Sequence, residues 1–299
     1  MMYDIIIIGA GPAGISAGIY AVSRGKKTLI LEKAEVGGLI GKVSTVTHYA
    51  GIIGGETGKT FSRRLYQQAK SAGVEIKKEE VTAVRLSGTQ KEVCTAQGTY
   101  QAAKVILANG TSPRKLGIPG EEKLAGKGMG MNAAKDGESY HGKHVYVVGG
   151  ADGAVKEALY LAEYAERVTI IHFEETLGCI AEFRKKVEQA SNIQLCLGAR
   201  LAAVEGEENV QRLTIQKEQT KELETIEDEG CGIFVYAGTV PNTQLYTELT
   251  LEEGFIPVNE KMETAIPGVY AAGDIRVKPI RQVSTAVSDG TIAAIEAAK

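Results

Sequence analysis

No apolar run in this 299-residue sequence approaches the roughly 20 residues that a membrane-spanning helix needs, so no membrane association is expected. Ahead of the isoleucine run Ile5–Ile8 there is no basic stretch, which argues against a signal peptide and makes the cytoplasm the expected address. Positive charge is not in excess either. The formal net charge is −3, so no basic face is advertised and nucleic acid is not an expected partner. Cysteine is scarce, and Cys94, Cys179, Cys196 and Cys231 lie far apart, which suggests neither a disulfide framework nor a zinc site. The balance that remains, 43% hydrophobic and 24% charged, is that of an ordinary globular protein, and the length suggests two domains.

Glycine, by contrast, is plentiful, and its placement is informative. The bare apolar run Ile5–Ile8 reads as a parallel strand buried on both faces. Gly9-x-Gly11-x-x-Gly14 follows at once and opens a helical stretch, Ile15–Ser23; a second strand, Thr28–Leu31, ends in Glu32. Gly9 makes the tight turn, Gly11 lets backbone approach a pyrophosphate, and Gly14 lets helix and strand pack closely. The helix N-terminus offers free N–H groups to phosphates. Glu32 sits where a ribose 2′-OH would donate to a carboxylate, close to the spacing of about 20 residues expected of that fingerprint. Strand, turn, helix and spaced acid together read as a dinucleotide-binding unit.

The chain then continues through a glycine-rich segment from Gly37 to Gly58, an amphipathic helix over Thr60–Ala72, and short strands at Val74–Ile76, Val81–Leu86 and Glu92–Ala96. Lys104–Ala108 reads as another strand, leading through Asn109-Gly110 and Pro113 out of the first domain. The opening logic then repeats. Strand Lys143–Val148, the turn Gly149-Gly150-Ala151-Asp152-Gly153-Ala154, helix Val155–Ala165 and strand Val168–Ile171 form a second β-α-β unit. Beyond it lie a helix near Ala181–Ala190, strands near Ile193–Leu197 and Leu213–Gln216, and a charged turn, Lys217–Glu229, read as a solvated hairpin. Gly232–Tyr236 is a buried strand, and Ala237–Asn242 looks like the return linker. The last segment carries Gly268–Asp274, then Arg281-Gln282-Val283 and a small-residue helix, Ser284–Ala298.

In this order the pieces resemble the low-molecular-weight thioredoxin reductases across essentially the whole chain. The carriers are Gly9-x-Gly11-x-x-Gly14 with Glu32, Gly37-Gly38, Ala108-x-Gly110, the inserted second unit, Pro241-Asn242, Ala271-x-Gly273-Asp274 and Arg281-Gln282-Val283. The resemblance implies an α/β protein of two Rossmann-like, three-layer dinucleotide-binding domains, the second inserted into the first. The FAD-binding domain would comprise residues 1–112 and 243–299, the pyridine-nucleotide-like domain residues 113–242, and the molecule would be a homodimer. By the same resemblance the FAD site draws on Gly9, Gly11, Pro12, Ala13 and Gly14, with Glu32 on the adenosine ribose and Lys33 beside it. Gly38, Leu39, His48 and Val81 join from the next segments, and Ala108, Asn109 and Gly110 from the last strand. Gly273 and Asp274 would meet the ribityl chain, and Arg281, Gln282 and Val283 would border the isoalloxazine.

Two departures from the family pattern change the expected chemistry. Where the family carries C-x-x-C-D, this chain reads Asn132-Ala133-Ala134-Lys135-Asp136, so the flavin-proximal dithiol is missing and thioredoxin cannot be reduced in the usual way. In the second nucleotide turn, made by Gly149, Gly150, Ala151, Asp152 and Gly153, Ala151 stands where backbone must approach a pyrophosphate. Spacing from Ala154 puts His172, Phe173 and Glu174 where the family's NADPH users carry His-Arg-Arg. NADPH is therefore not expected, and the donor is NADH or a protein; some relatives lacking the NADPH residues use ferredoxin but keep their cysteines. The second cleft is also a candidate for another nucleotide or a second flavin. The catalytic residues stay open: Lys135 either sets charge near the flavin or fills a solvated gap. Cys179, Cys196 and Cys231 are either buried inert thiols or a relocated disulfide. His48, His141, His144 and His172 are either acid–base groups or structural. The acceptor is unidentified, and a redox-silent FAD-binding scaffold is the rival reading.

Overall fold

A computed structural model describes residues 2–299. The first segment contains β1 (Met2–Ile8), α1 (Pro12–Val22), β2 (Thr28–Glu32), α2 (Gly58–Ser71), β3 (Glu75–Lys78), β4 (Val81–Arg85), β5 (Lys91–Thr95), β6 (Gly98–Leu107) and β7 (Thr111–Pro113). There follow α3 (Ala133–Asp136), β8 (His144–Val148), α4 (Asp152–Leu161), β9 (Arg167–Ile171), α5 (Ala181–Gln189) and β10 (Ile193–Cys196). The rest comprises β11 (Ala199–Glu205), β12 (Arg212–Lys217), β13 (Leu223–Glu227), β14 (Gly232–Val235), β15 (Thr239–Pro241), β16 (Val269–Ala271) and α6 (Val283–Ala297). The chain divides into one unit of Met1–Ser112 with Val240–Lys299 and another of Pro113–Thr239.

The discontinuous unit is built on a sheet in the order β3-β2-β1-β6, all parallel. Past β6 the sheet splits: the first half of β6 pairs with β5 in an antiparallel meander that ends in β4, and its last residues pair with β16. Because side chains alternate along a strand, Ile5 and Ile7 face a core shared with α1, α2 and α6, while Ile6 and Ile8 face one shared with Val81, Val93 and Tyr246. Helices α1 and α6 approach closely enough that a Cβ on Gly290 would lie 2.0 Å from the Ala13 carbonyl oxygen. Val240–Asn242, expected in the return linker of the other domain, belong here. The Asn242 amide donates to the Asn109 carbonyl (2.7 Å) and accepts from Ser112 Oγ (2.7 Å).

The inserted unit repeats the plan with a parallel sheet β10-β9-β8-β14. Val145 and Val147 face the core beneath α4 and α5, whereas Tyr146 and Val148 face an antiparallel sheet, β11-β12-β13.

The structure corrects several sequence expectations. Helix α1 begins at Pro12, not Ile15, since proline at the first helical position loses no intrahelical bond. Helix α4 likewise starts early, at Asp152, and ends at Leu161. The charged stretch after Lys217 is the solvated hairpin expected, with Leu223–Glu227 forming β13 antiparallel to β12 on the exposed edge of its sheet. Strand β11 has no counterpart among the expected elements, because Arg200 and the small residues Ala202 and Ala203 blur its alternation.

Candidate functional site

In the discontinuous unit, the predicted residues converge at the C-terminal ends of β1, β6 and β16. Gly9 has φ +102°, and a Cβ there would meet the Ala108 carbonyl oxygen at 2.5 Å and the Asn109 Cα at 2.7 Å. A Cβ on Gly14 would meet the Gly9 oxygen at 1.9 Å, so neither position admits a side chain. Gly11 is different: its nearest neighbour would be the Gly37 oxygen at 3.9 Å, so the protein leaves the space above it open. Gly11 is also the N-cap of α1, with no side-chain cap and no acidic residue in the first turn, which leaves the helix N–H groups for an anion.

Glu32 closes the turn from below. Its carboxylate accepts the Ala10 N–H at 2.7 Å and the Ala34 N–H at 2.9 Å. The Gly37 N–H donates to the Ala10 oxygen (2.9 Å), which brings the short 3-10 turn of Gly38 and Leu39 against Gly11. Gly273 (φ +81°) packs on Ala13, and Asp274 follows it. Its Oδ1 is buried and unpartnered by hydrogen bonds, with Lys278 Nζ no nearer than 4.0 Å. Burial pushes the Asp274 carboxyl above the usual range, against the opposing pull of Lys278 and Arg281.

Other predicted residues take more ordinary places. Lys33 reaches Glu80 at 3.8 Å on the surface, Val81 is buried at the start of β4, and His48 is exposed with Nδ1 3.0 Å from Thr47 Oγ1. Asn109 is locked by Tyr246 Oη (2.6 Å) and by donating to the Asn242 carbonyl (2.8 Å), beside Gly110 in its left-handed turn. The Arg281 guanidinium stacks over Phe255, its centre 4.1 Å from the ring centroid. Gln282 N-caps α6, so Val283 is the first helical residue.

Sequence reasoning missed the group that steadies the Gly273–Asp274 turn. Asp289 of α6 is 3% exposed and accepts from the Gly273 N–H (3.1 Å), Arg276 (2.7 and 2.8 Å) and Lys278 (2.8 Å). Burial raises its pKa, but the bonds from Arg276 and Lys278 outweigh that and hold the carboxyl below the usual range. The only sequence signal was an acid inside a helix of small residues.

In the inserted unit, Asn132 N-caps the single turn of α3, its Oδ1 accepting the Lys135 N–H at 2.9 Å. Lys135 is 83% exposed and lies 3.6 Å from Asp136. All four cysteines are free thiols. Burial pushes the Cys231 thiol up to about 12 and raises Cys179 and Cys196 as well, and protonated thiols are poor nucleophiles. Cys179 and Cys231 also lie in separate cores. His144 is tied to Asp228 (2.6 Å) and Thr169 (2.8 Å), and His141 is exposed.

The second glycine turn is built differently from the first. Gly149 (φ +134°) repeats the tight turn of Gly9, with the Tyr236 oxygen 2.5 Å from a Cβ position. Ala151, exposed, is the N-cap of α4, and Asp152 puts a carboxylate in its first turn, accepting the Ile180 N–H at 2.8 Å. Gly153 faces open space. The His172 ring lies against Gly150, where a Cβ would meet it at 2.4 Å. Phe173 is 45% exposed, and the Arg200 guanidinium covers its ring at 4.5 Å. Arg200, from the unforeseen β11, is thus a cation beside Phe173, already paired with Glu218.

Known proteins share this geometry. The family model for pyridine nucleotide-disulphide oxidoreductases matches residues 3–290. Thioredoxin reductase of Peptoclostridium acidaminophilum is 36% identical, over 100% of this chain and 96% of that protein. The crystal structure of Lactococcus lactis thioredoxin reductase superposes with a TM-score of 0.94 at 33% identity, covering 99% of this chain and 97% of that one. A ferredoxin-flavin thioredoxin reductase from Clostridium acetobutylicum matches at a TM-score of 0.54 and 31% identity, covering 99% and 97%. With both Rossmann units and their inserted order in place, the chain belongs to the pyridine nucleotide-disulphide oxidoreductase family, as a flavin-dependent oxidoreductase of thioredoxin-reductase type.

Proposed function

We propose that this enzyme moves electrons between a donor, NADH or a protein such as ferredoxin, and an acceptor other than thioredoxin, without a flavin-proximal dithiol. The observation that carries the reading is the pair Asn132 and Lys135. One caps α3 and the other projects into solvent beside Asp136, and neither side chain can cycle as a thiol.

The residues of the discontinuous unit fit FAD. The open space above Gly11, the uncapped α1 N-terminus and the orphaned Asp274 Oδ1 together supply a phosphate cradle and a carboxylate that lacks a hydroxyl partner. The Gly9–Gly14 turn would hold the pyrophosphate, Glu32 the adenosine ribose and Asp274 the ribityl chain. FAD, when bound, supplies one- and two-electron redox chemistry. Around it, Asp289 fixes the Gly273–Asp274 turn and holds Arg276 and Lys278 by hydrogen bonds, so that the carboxylate oxygen left without a hydrogen bond is the one at the cradle. A relocated dithiol is disfavoured by the raised thiol pKa values. Family likeness supports a homodimer, and likeness to the ferredoxin-flavin thioredoxin reductase of Clostridium acetobutylicum supports ferredoxin as a class of donor.

Anaerobic titration of the holoprotein with NADH, NADPH and reduced ferredoxin in turn, following the visible absorbance of the oxidised flavin, tests the proposal. Bleaching by NADH or ferredoxin is expected. A flavin that no donor reduces would favour the scaffold reading instead.

A further inference from the structure

The duplicated units permit a residue-by-residue comparison. Ile8 pairs with Leu31 and Val148 pairs with Ile171, so the register makes His172 the counterpart of Glu32 and Gly150 the counterpart of Ala10. In the first unit the counterpart is a carboxylate that accepts the Ala10 N–H. In the second it is an imidazole lying flat on Gly150, which explains the glycine there: a Cβ would meet the ring at 2.4, 2.5 and 2.7 Å.

The imidazole carries a carboxylate of its own. His172 is 6% exposed, its Nε2 lies 3.0 Å from Glu174 Oε2, and its Nδ1 is buried without a hydrogen-bond partner. The backbone is pinned on both sides, by His172 N–H to Cys196 O, Ala199 N–H to His172 O and Gly198 N–H to Glu174 O, each 3.0 Å. No loop movement is needed to bring Glu174 to the turn. Its Oε2 already lies 3.9 Å from the Cβ position of Gly178, which is itself 4.0 Å from the Gly150 oxygen. The side chain is 55% exposed and so accessible to a ligand.

Resting on the reading of this cleft as the entry point of a nucleotide donor, we propose that Glu174, positioned by His172, reads the unphosphorylated 2′,3′-diol of an adenosine ribose, so that the inserted unit selects NADH over NADPH. A carboxylate accepts from two hydroxyls at once and repels a 2′-phosphate. The nearby cation does not reverse this selection, because Arg200 is committed to Glu218 and to the face of Phe173.

Calorimetry on oxidised holoprotein with NAD⁺ and NADP⁺ separates binding from electron transfer. Native protein should bind NAD⁺ about tenfold or more tightly than NADP⁺, the factor expected for loss of a charge-assisted hydrogen bond. Glu174→Gln should weaken NAD⁺ by about the same factor and leave NADP⁺ no weaker. Glu174→Arg should reverse the preference. His172→Phe, which keeps a ring on Gly150 but loses the bond to Glu174, should narrow the NAD⁺ to NADP⁺ ratio, whereas Glu175→Gln should leave it unchanged. An unaltered flavin spectrum in each variant shows that the fold is intact. Equal or tighter NADP⁺ binding by the native protein overturns the assignment, as does an equal loss of both nucleotides in Glu174→Gln. Binding of neither nucleotide also overturns it, while the flavoprotein reading then stands or falls separately on reduction by ferredoxin.

Discussion

At the scale of residues, the two glycines of the first turn make opposite demands, and this allows cofactor binding to be separated from folding. Gly14 is buried against the Gly9 carbonyl, so any side chain there breaks the turn itself. Gly11 has φ −71° and only a distant backbone neighbour, so the polypeptide alone tolerates a side chain. Gly11→Val should therefore fold with a native circular dichroism spectrum yet purify with less than about a tenth of the native FAD, since the branched side chain fills the phosphate space. Full flavin content in that variant would show that the pyrophosphate lies elsewhere. Asp289 provides a second residue-level test. Replacing it with Asn takes the closest anion from the buried Lys278 and the half-buried Arg276, a loss of up to about 3–5 kcal/mol by analogy with broken buried pairs. The folded-state pKa of Asp289 lies below its unfolded value of about 3.9, so its contribution is fully present above that value and is lost as acid titrates the folded carboxylate. The difference in denaturant midpoint between native and Asp289→Asn protein should accordingly begin to shrink below about pH 4 and vanish only once acid has protonated the folded carboxylate. A gap that did not shrink at all as the pH fell below about 4 would assign the loss to packing rather than charge.

At the scale of elements, legibility followed periodicity. The strands β1, β2, β8 and β9 were readable because each carries a run of mostly apolar residues buried on both faces, and the tight turns at Gly9 and Gly149 because their backbone angles exclude other residues. The one-turn helix α3 was not readable, since four residues show no period. Neither were the Asp289 network and the placement of Arg200 on Phe173, because both join residues that only the fold brings together. The contact between α1 and α6 was not legible: Ser284–Ala298 reads only as a small-residue helix, and its packing on α1 joins residues far apart in the sequence. Gly290 sits at the closest approach, so Gly290→Ala should cost about 1–3 kcal/mol or more by overpacking, and flavin should be released in parallel if Ala13 belongs, as proposed, to the phosphate turn. Gly54→Ala is the matched control. It has no neighbour within 4 Å and no left-handed φ, and should leave the thermal midpoint unchanged or slightly higher. Equal midpoints for the two variants would mean that α6 can move away without consequence.

At the scale of the whole molecule, the proposed function sets a retained flavin cradle against two changed places of electron exchange. On the proposed reading, Asn132 and Lys135 stand where the family carries its dithiol, and Phe173 and Glu174 stand where its NADPH users carry two arginines. These changes belong to different segments, yet on the proposed reading each removes one step of the same route from NADPH to thioredoxin. The protein should therefore show no NADPH-driven reduction of thioredoxin at ordinary enzymatic rates of roughly 1–10³ per second, measured as thiols released. Restoring only one end should not restore the route. Asn132→Cys with Lys135→Cys should add two titratable thiols, at a cost of about 1 kcal/mol for the lost N-cap on α3. Thioredoxin turnover with NADPH should still be negligible if Glu174 repels the 2′-phosphate as proposed. Adding Glu174→Arg to that pair supplies a cation in place of the repulsive carboxylate. If the unmodified enzyme already reduced thioredoxin with NADPH, one of the remaining thiols would have to act despite its raised pKa, and Asn132 and Lys135 would no longer mark a lost step.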